Sequence, residues 1–157
     1  MIVVSDTSPI LNLSAIGRLD LLRNLYHELV IPPAVAIELQ RNGVDHRRQE
    51  WLLLRKPTNS ELVTQLELRL DLGEAEAIAI ALEFGADRVL IDERRARRVA
   101  SEFNLQPLGL LGILAEAKRN GLLQNCKPAL DEMIQVAGFW IGEQLYNRFL
   151  AAVDESR

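Results

Sequence analysis

The chain has 157 residues, a single cysteine and a formal net charge of −4, a size that suits one domain with a substantial core. Cys126 alone excludes an internal disulfide, and no leader or uninterrupted apolar stretch of membrane-spanning length occurs. We therefore expect one cytoplasmic domain over residues 1–157 without membrane contact. A pI near 5.3 excludes a global attraction to nucleic acid.

The first part of the chain alternates short apolar strands with helices. The residues from Ile2 to Ser5 predict a strand, followed by a helix from about Pro9 that is interrupted at Gly17 and resumes over "RLDLLRNLY". A second strand is predicted in "HELVIP", and the prolines that follow it favour the start of the helix "PAVAIELQR". The segment "EWLLLRKP" predicts a third strand.

The second part continues this alternation. One or two helices are predicted in "NSELVTQLELRLDLGEAEAIAIALEFG", then a strand and helix in "ADRVLIDERRARRVASEFNL", and a short strand and helix in "QPLGLLGILAEAKRNG". A helical tail follows from about residue 128. The pattern predicts an α/β fold, a three-layer α/β/α sandwich around a mainly parallel sheet. Such sheets bind ligands beyond the carboxyl ends of their strands.

Two aspartates directly follow predicted strands. Asp6 ends the first strand, and the following helix is expected to have Ser8 as its N-cap and Pro9 at its first position. Asp6 is thus left without an evident local role. Asp92 follows "RVLI" in the same way, with the alternative that it caps the next helix.

Two glutamates occupy helices next to predicted strand ends. Glu74 opens the apolar helix in "DLGEAEAIAIAL", where Asp71 stands three residues earlier, so a purely structural capping box is the alternative. Glu38 lies about two turns into the helix after the second strand, with the alternative that it is an ordinary surface glutamate.

These four carboxylates are expected at one edge of one sheet. Like charges in a partly dehydrated cleft repel one another, and a cation relieves that repulsion. Oxygen ligands without a cysteine or histidine cluster favour Mg²⁺ or Mn²⁺ over zinc. His27 and His46 show no metal-ligand spacing.

Charge is distributed unevenly along the chain. Residues 88–98 carry five arginines against two acids, whereas residues 61–83 carry six acids against one arginine. A solvated helix face is the simplest explanation of such runs. A basic segment directly beside Asp92 is nevertheless a candidate for contact with a phosphate backbone.

The motifs around these acids resemble those of the PIN-domain ribonucleases, the fold of the VapC-like toxins. The resemblance covers about residues 1 to 118 and rests on "VVSDTS", "VIPPAVAIELQ" and "GEAEAIAIALEFGADRVLIDERRARRVA". The overall pattern is most similar to a PIN-like subgroup of uncharacterised prokaryotic proteins. The chain has Glu74 where the family's third acid is usually aspartate, and "VLID" where a threonine usually precedes the fourth.

The resemblance implies a Mg²⁺- or Mn²⁺-dependent endoribonuclease, the toxin of a type II toxin-antitoxin pair, with RNA as substrate, a small antitoxin protein as partner and a homodimer as assembly. The implied catalytic residues, which are also the metal ligands, are Asp6, Glu38, Glu74 and Asp92. The auxiliary candidates are Thr7, Ser8, Glu76 and Glu93, and the RNA-binding candidates are Arg94, Arg95, Arg97 and Arg98.

Three other functions compete with this one at the level of sequence, and the sequence disfavours the first two. A phosphoacceptor receiver domain needs paired acids after its first strand and a lysine after its last, and neither is found. A haloacid-type phosphatase needs an aspartate where Ser8 stands. A PIN-like module that binds without catalysis is the more serious alternative, which metal binding would distinguish.

The tail carries one further pattern. Ile141, Leu145 and Phe149 recur at four-residue spacing beside Trp140, which predicts a helical apolar stripe. The stripe is expected either to dock on the chain's own core or to contribute to a dimer.

Overall fold

The computed structural model describes all 157 residues, which form five strands and nine α-helices. The strands are β1 (Val3–Ser5), β2 (Leu29–Ile31), β3 (Leu52–Leu54), β4 (Arg88–Leu90) and β5 (Pro107–Leu108). The helices are α1 (Thr7–Ala15), α2 (Asp20–Tyr26), α3 (Pro33–Arg41), α4 (Ser60–Leu66), α5 (Leu72–Phe84), α6 (Arg94–Glu102), α7 (Leu110–Arg119), α8 (Lys127–Val136) and α9 (Glu143–Ala152). A short 3₁₀ turn covers His46–Arg48.

All strand pairs are parallel, and the strand order is β3-β2-β1-β4-β5. The chain therefore builds outward from β1 to β3 and then returns to the other side of β1 with β4. This reversal makes the carboxyl ends of β1 and β4 the topological switch point, where open α/β sheets place their ligand crevice. Asp6 and Asp92 follow these two strands.

Each face of the sheet is covered by its own apolar cluster. Val3, Leu29 and Leu90 belong to a cluster of 28 buried residues, to which α1–α3 and α7–α9 contribute. Val4 and Val89 belong to a cluster of 16 on the opposite face, with α4–α6. Because alternate strand residues point to opposite faces, these short strands are buried on both sides, which confirms the predicted three-layer α/β/α sandwich.

Local sequence explains the boundaries of α5 and α3, the helices that carry Glu74 and Glu38. In α5, Asp71 and Glu74 form a reciprocal capping box, and Gly85 ends the helix in the left-handed conformation at φ +60°. The alanine and isoleucine residues between them fill a helix that is almost entirely buried. In α3, Pro33 occupies the first helical position, where its fixed φ and missing N–H are tolerated.

Two predicted details were wrong. The first helix begins at Thr7, so Asp6 takes the N-cap position that was predicted for Ser8. The tail comprises two helices, and Ile141 precedes the second one, while Leu145 is 45% exposed. The face of α9 that packs on the core keeps Phe149 from the predicted stripe and adds Tyr146 and Leu150, because the break between α8 and α9 resets the helical phase.

No helix in the chain combines the length and the apolar character that crossing a membrane requires.

Candidate functional site

A cavity of about 720 Å³ opens at the switch point of the sheet. Six acidic residues line it, and no lysine, arginine or histidine does. The acidic residues are Asp6, Glu38, Asp71, Glu74, Asp92 and Glu93. The structure thus brings together all four carboxylates that were predicted to share this edge, and it adds two more.

Asp6 is the most buried of these acids. Its residue is 7% exposed, and although it occupies the N-cap position of α1, its side chain makes no capping hydrogen bond. Burial raises the pKa of Asp6 from 3.8 to about 7, and the neighbouring carboxylates Asp71, Glu74 and Glu38 add to the rise, while the backbone N–H of Thr7 opposes it. Without a cation, Asp6 therefore holds a proton near neutral pH.

Gly73 allows this close arrangement. A Cβ atom at position 73 would lie 3.2 Å from the Asp6 Oδ1 atom and 3.5 Å from a methyl group of Val35. Any larger residue would push against the buried carboxylate from the first turn of α5. Glycine therefore lets Asp6 approach the amino end of that helix, whose partial positive charge favours an anion.

Glu74 forms the capping box and also lines the cavity. Its Oε1 atom accepts a hydrogen bond of 3.1 Å from the Asp71 N–H, and its own N–H donates to Asp71 Oδ1 at 2.8 Å. Burial raises the pKa of Glu74 to about 7, with Asp71, Glu93 and Glu38 contributing. The capping box uses Oε1, whereas Oε2 has no partner and remains for a ligand in the cavity.

Asp92 is not the N-cap of α6. Glu93 holds that place and accepts hydrogen bonds from the N–H groups of Arg95 and Ala96. Asp92 Oδ1 instead accepts from the Leu110 N–H at 3.1 Å, at the start of α7. The alternative that Asp92 caps the helix after it is therefore wrong, and its second carboxylate oxygen has no hydrogen-bond partner.

The remaining candidates differ in their placement. Glu38 is exposed at the rim of the cavity. Thr7 and Ser8 both line the cavity, and the buried Thr7 Oγ1 has no hydrogen-bond partner. Glu76 does not line it, because its side chain turns away and accepts from the Ala34 N–H at 2.9 Å, which ties α5 to the start of α3.

The arginines of α6 divide into two pairs. Arg94 and Arg97 line a neighbouring cavity that shares Asp92 with the acidic one. Arg97 also donates a hydrogen bond to the Asp92 carbonyl oxygen. Arg95 and Arg98 are exposed on another side of the helix, as expected when four residues within two turns cannot share one face.

Several residues of the cavity, among them Asp71, Asn12 and Asn42, were not predicted as site residues. Asp71 was predicted only as a capping residue, yet it also lines the cavity. Asn12 donates to the backbone carbonyl and hydroxyl oxygens of Ser8, and Asn42 donates to the Glu38 carbonyl oxygen. Both asparagines stand four residues after a predicted site residue, so helical spacing was the signal that pointed to them.

The donor atoms in the cavity suit a hard divalent cation. They include carboxylate oxygens and the unpaired hydroxyl group of Thr7, and oxygen ligands without histidine or cysteine favour Mg²⁺ or Mn²⁺. No three acidic, histidine or cysteine side chains stand close enough together to ligate one ion directly. Mg²⁺ usually keeps several waters and binds through one or two carboxylates, so the residues fit such an ion.

Comparison with known proteins agrees with this geometry. A family model described as a PIN domain matches residues 2–155, and no match is found among curated proteins. PIN domains are generally nucleases and typically bind divalent metals. An all-parallel sheet with acids gathered at its switch point is the arrangement that the sequence resemblance implied. From its sequence match and its fold, the chain belongs to the PIN-domain family.

Proposed function

We propose that the protein is a Mg²⁺- or Mn²⁺-dependent endoribonuclease. The observation that carries the proposal is the cavity at the switch point, which six carboxylates line without any basic side chain. Such a cavity repels a nucleic acid unless a cation is bound in it. A bound divalent cation would supply an activated water and neutralise the charge that develops on the phosphate in hydrolysis.

The residues of the cavity take different roles in this proposal. Asp6, Glu38 and Asp92 are the leading candidates: one or two of them bind the ion directly and the others hold its water molecules. Glu74 acts directly through Oε2 or through a water. Asp6 and Asp92 follow adjacent strands, so the backbone of the sheet holds them in place. Thr7 and Ser8 are placed to orient a water molecule or a phosphate oxygen, with the unpaired Thr7 hydroxyl group as the better donor.

We further propose that this activity is that of a toxin in a type II toxin-antitoxin pair, with a small antitoxin protein as partner and a homodimer as assembly. The support is the resemblance of the acidic motifs to those of the VapC-like toxins. An antitoxin gene directly beside the gene for this chain is the expected genetic arrangement.

The proposal predicts both ion uptake and cleavage. We expect calorimetry to detect Mn²⁺ binding to the metal-free protein, and we expect an RNA oligonucleotide to be cut with Mg²⁺ or Mn²⁺ but not with EDTA. Gel analysis of end-labelled RNA measures the second effect. Binding of RNA without ion uptake or cleavage would instead identify a catalytically inert PIN-like binding module.

Glu74→Gln tests the double role of this residue. The amide oxygen can still accept from the Asp71 N–H, so we expect α5 to remain intact. Removing one buried carboxylate should raise the melting temperature of the metal-free protein at pH 8, while cleavage falls by roughly 10- to 100-fold, the usual cost of disturbing a group that supports a metal site. Calorimetric melting and initial rates measure the two effects.

Glu76→Gln is the matched control on the same helix. Its amide oxygen can keep the hydrogen bond from the Ala34 N–H, and the residue lies outside the cavity. We expect it to leave both the melting temperature and the cleavage rate near those of the native protein. Equal rate losses in the two variants would remove Glu74 from the site.

A further inference from the structure

A second cavity of about 390 Å³ adjoins the acidic one, and Asp92 lines both. We call it the Trp140 groove. It lies between the start of α6, the start of α7 and the segment that joins α8 to α9. Its residues include Asp92, Arg94, Arg97, Leu111, Trp140 and Leu145.

Trp140 is the most exposed large apolar side chain of this groove. It is 84% exposed, and Leu145 beside it is 45% exposed. The indole makes no hydrogen bond within the chain, in contrast to Trp51, which is 6% exposed and donates to Gln49. A ring so exposed contributes little to folding, so its apolar surface is available to a ligand.

The groove also supplies the positive charge that the acidic cavity lacks. Arg94 is exposed and forms no ion pair or hydrogen bond through its side chain. Arg97 is held against the Asp92 carbonyl oxygen and close to Gly109, where a Cβ atom would lie 2.9 Å from one guanidinium nitrogen. One arginine is thus fixed beside the site and the other is free to move.

We propose that the Trp140 groove binds an unpaired nucleotide next to the bond that is cleaved, with its base stacked on Trp140 and its phosphate held by Arg94. An aromatic face and a nearby cation are the two features by which proteins hold single-stranded nucleic acid. Bases within a duplex are stacked on each other and do not present a face. The groove is therefore expected to hold an unpaired nucleotide and not a base-paired one, an inference that rests on the proposed nuclease function.

Trp140 fluorescence reports binding directly. Trp51→Phe leaves Trp140 as the only tryptophan, and Asp6→Asn in the same chain prevents cleavage during the titration. We expect a single-stranded RNA 12-mer to quench the emission of Trp140, and a blunt RNA duplex of the same length to leave it unchanged. Emission that changes with protein concentration alone would show that a second copy of the chain covers the groove, which overturns the proposal.

Substitutions then separate the contribution of base stacking to RNA binding from the contribution of charge. We expect Trp140→Ala to weaken binding of the single strand about tenfold, within the range usual for one stacked base, and Trp140→Phe to restore most of the affinity. Phe84→Ala, which truncates an exposed aromatic side chain at the far end of α5, should have no effect. Arg94→Ala should lower the slope of log affinity against log salt by about 0.7, while Arg95→Ala should not.

The outcomes distinguish this inference from the proposed function. Metal-dependent cleavage with unchanged KM in Trp140→Ala, or equal affinity for single strand and duplex, overturns the groove assignment alone. Absence of both RNA binding and cleavage in the native protein overturns the two proposals together.

Discussion

Asp6→Asn is expected to abolish metal-dependent RNA cleavage while preserving the fold. Asp6 is buried at the switch point, and its side chain forms no capping hydrogen bond that would assign it a structural role. Disturbing a residue that merely supports a metal ligand costs roughly 10- to 100-fold in affinity or activity. Loss of a ligand itself should exceed that, so we expect at least about a 100-fold fall in initial rate.

The fold of this variant is checked by circular dichroism and by its melting temperature without metal. Asp154→Asn is the matched control, because Asp154 is exposed and has a φ of +61°, a conformation that asparagine accepts well. It removes the same charge far along the chain and should cleave at the native rate. Native activity in purified Asp6→Asn would remove Asp6 from the catalytic site.

The stability of the metal-free protein is expected to fall as the pH rises from about 5 to 8. In the folded protein the pKa values of Asp6 and Glu74 are both raised to about 7, so between their ordinary values and 7 the folded state binds more protons than the unfolded state. The free energy of unfolding therefore decreases with pH across this window and levels off above it. For Asp6 alone the rise in pKa corresponds to about 4 kcal/mol.

Carboxylates whose pKa values are lowered by hydrogen bonds do not contribute to the pH dependence of stability between pH 5 and 8. Asp131 and Glu155 have lowered pKa values even though burial opposes the shift. Asp131 accepts a hydrogen bond from Lys127, and Glu155 accepts from the backbone N–H groups of Cys126 and Lys127 and from the Lys118 side chain. Their stabilising effect is present above the ordinary carboxyl pKa near 4 and is lost only at lower pH. Urea unfolding at pH 5, 6, 7 and 8 thus isolates the groups in the cavity.

Two comparisons complete this experiment. Asp6→Asn should flatten the pH dependence and be more stable than the native protein at pH 8, because the variant no longer carries the buried charge. Mg²⁺ or Mn²⁺ should stabilise the native protein more at pH 8 than at pH 5, since ions that bind only the folded state add RT ln(1 + [L]/Kd) and need ionised ligands. Stability that rises from pH 5 to 8 without metal would contradict the carboxylate cluster.

The sequence by itself determined the local elements and the acids that end them. The apolar runs before Asp6 and Asp92 predicted β1 and β4, and Pro33 marked the start of α3, because strand burial and helix initiation depend on residues within a few positions. The three-residue spacing of Asp71 and Glu74 likewise predicted their capping box.

Only the tertiary structure decided how these elements meet. The strand order places β4 beside β1, although 82 residues of chain separate the ends of the two strands. That pairing puts Asp92 beside Asp6, and the pairing of β4 with β5 puts Asp92 against the start of α7. Asp71 lines the cavity as well as capping α5. Hydrogen bonds such as the one that the Leu110 N–H donates to Asp92 join distant parts of the chain, and no local pattern encodes them.

The tertiary structure also determines the exposure of Trp140. The spacing of Ile141, Leu145 and Phe149 predicted one helical stripe, but the chain breaks before α9. Phe149 is therefore buried and Ile141 packs partly on the core, whereas Leu145 and Trp140 remain exposed. Packing against the rest of the molecule selects which apolar residues are buried, and an isolated segment of sequence does not contain that information.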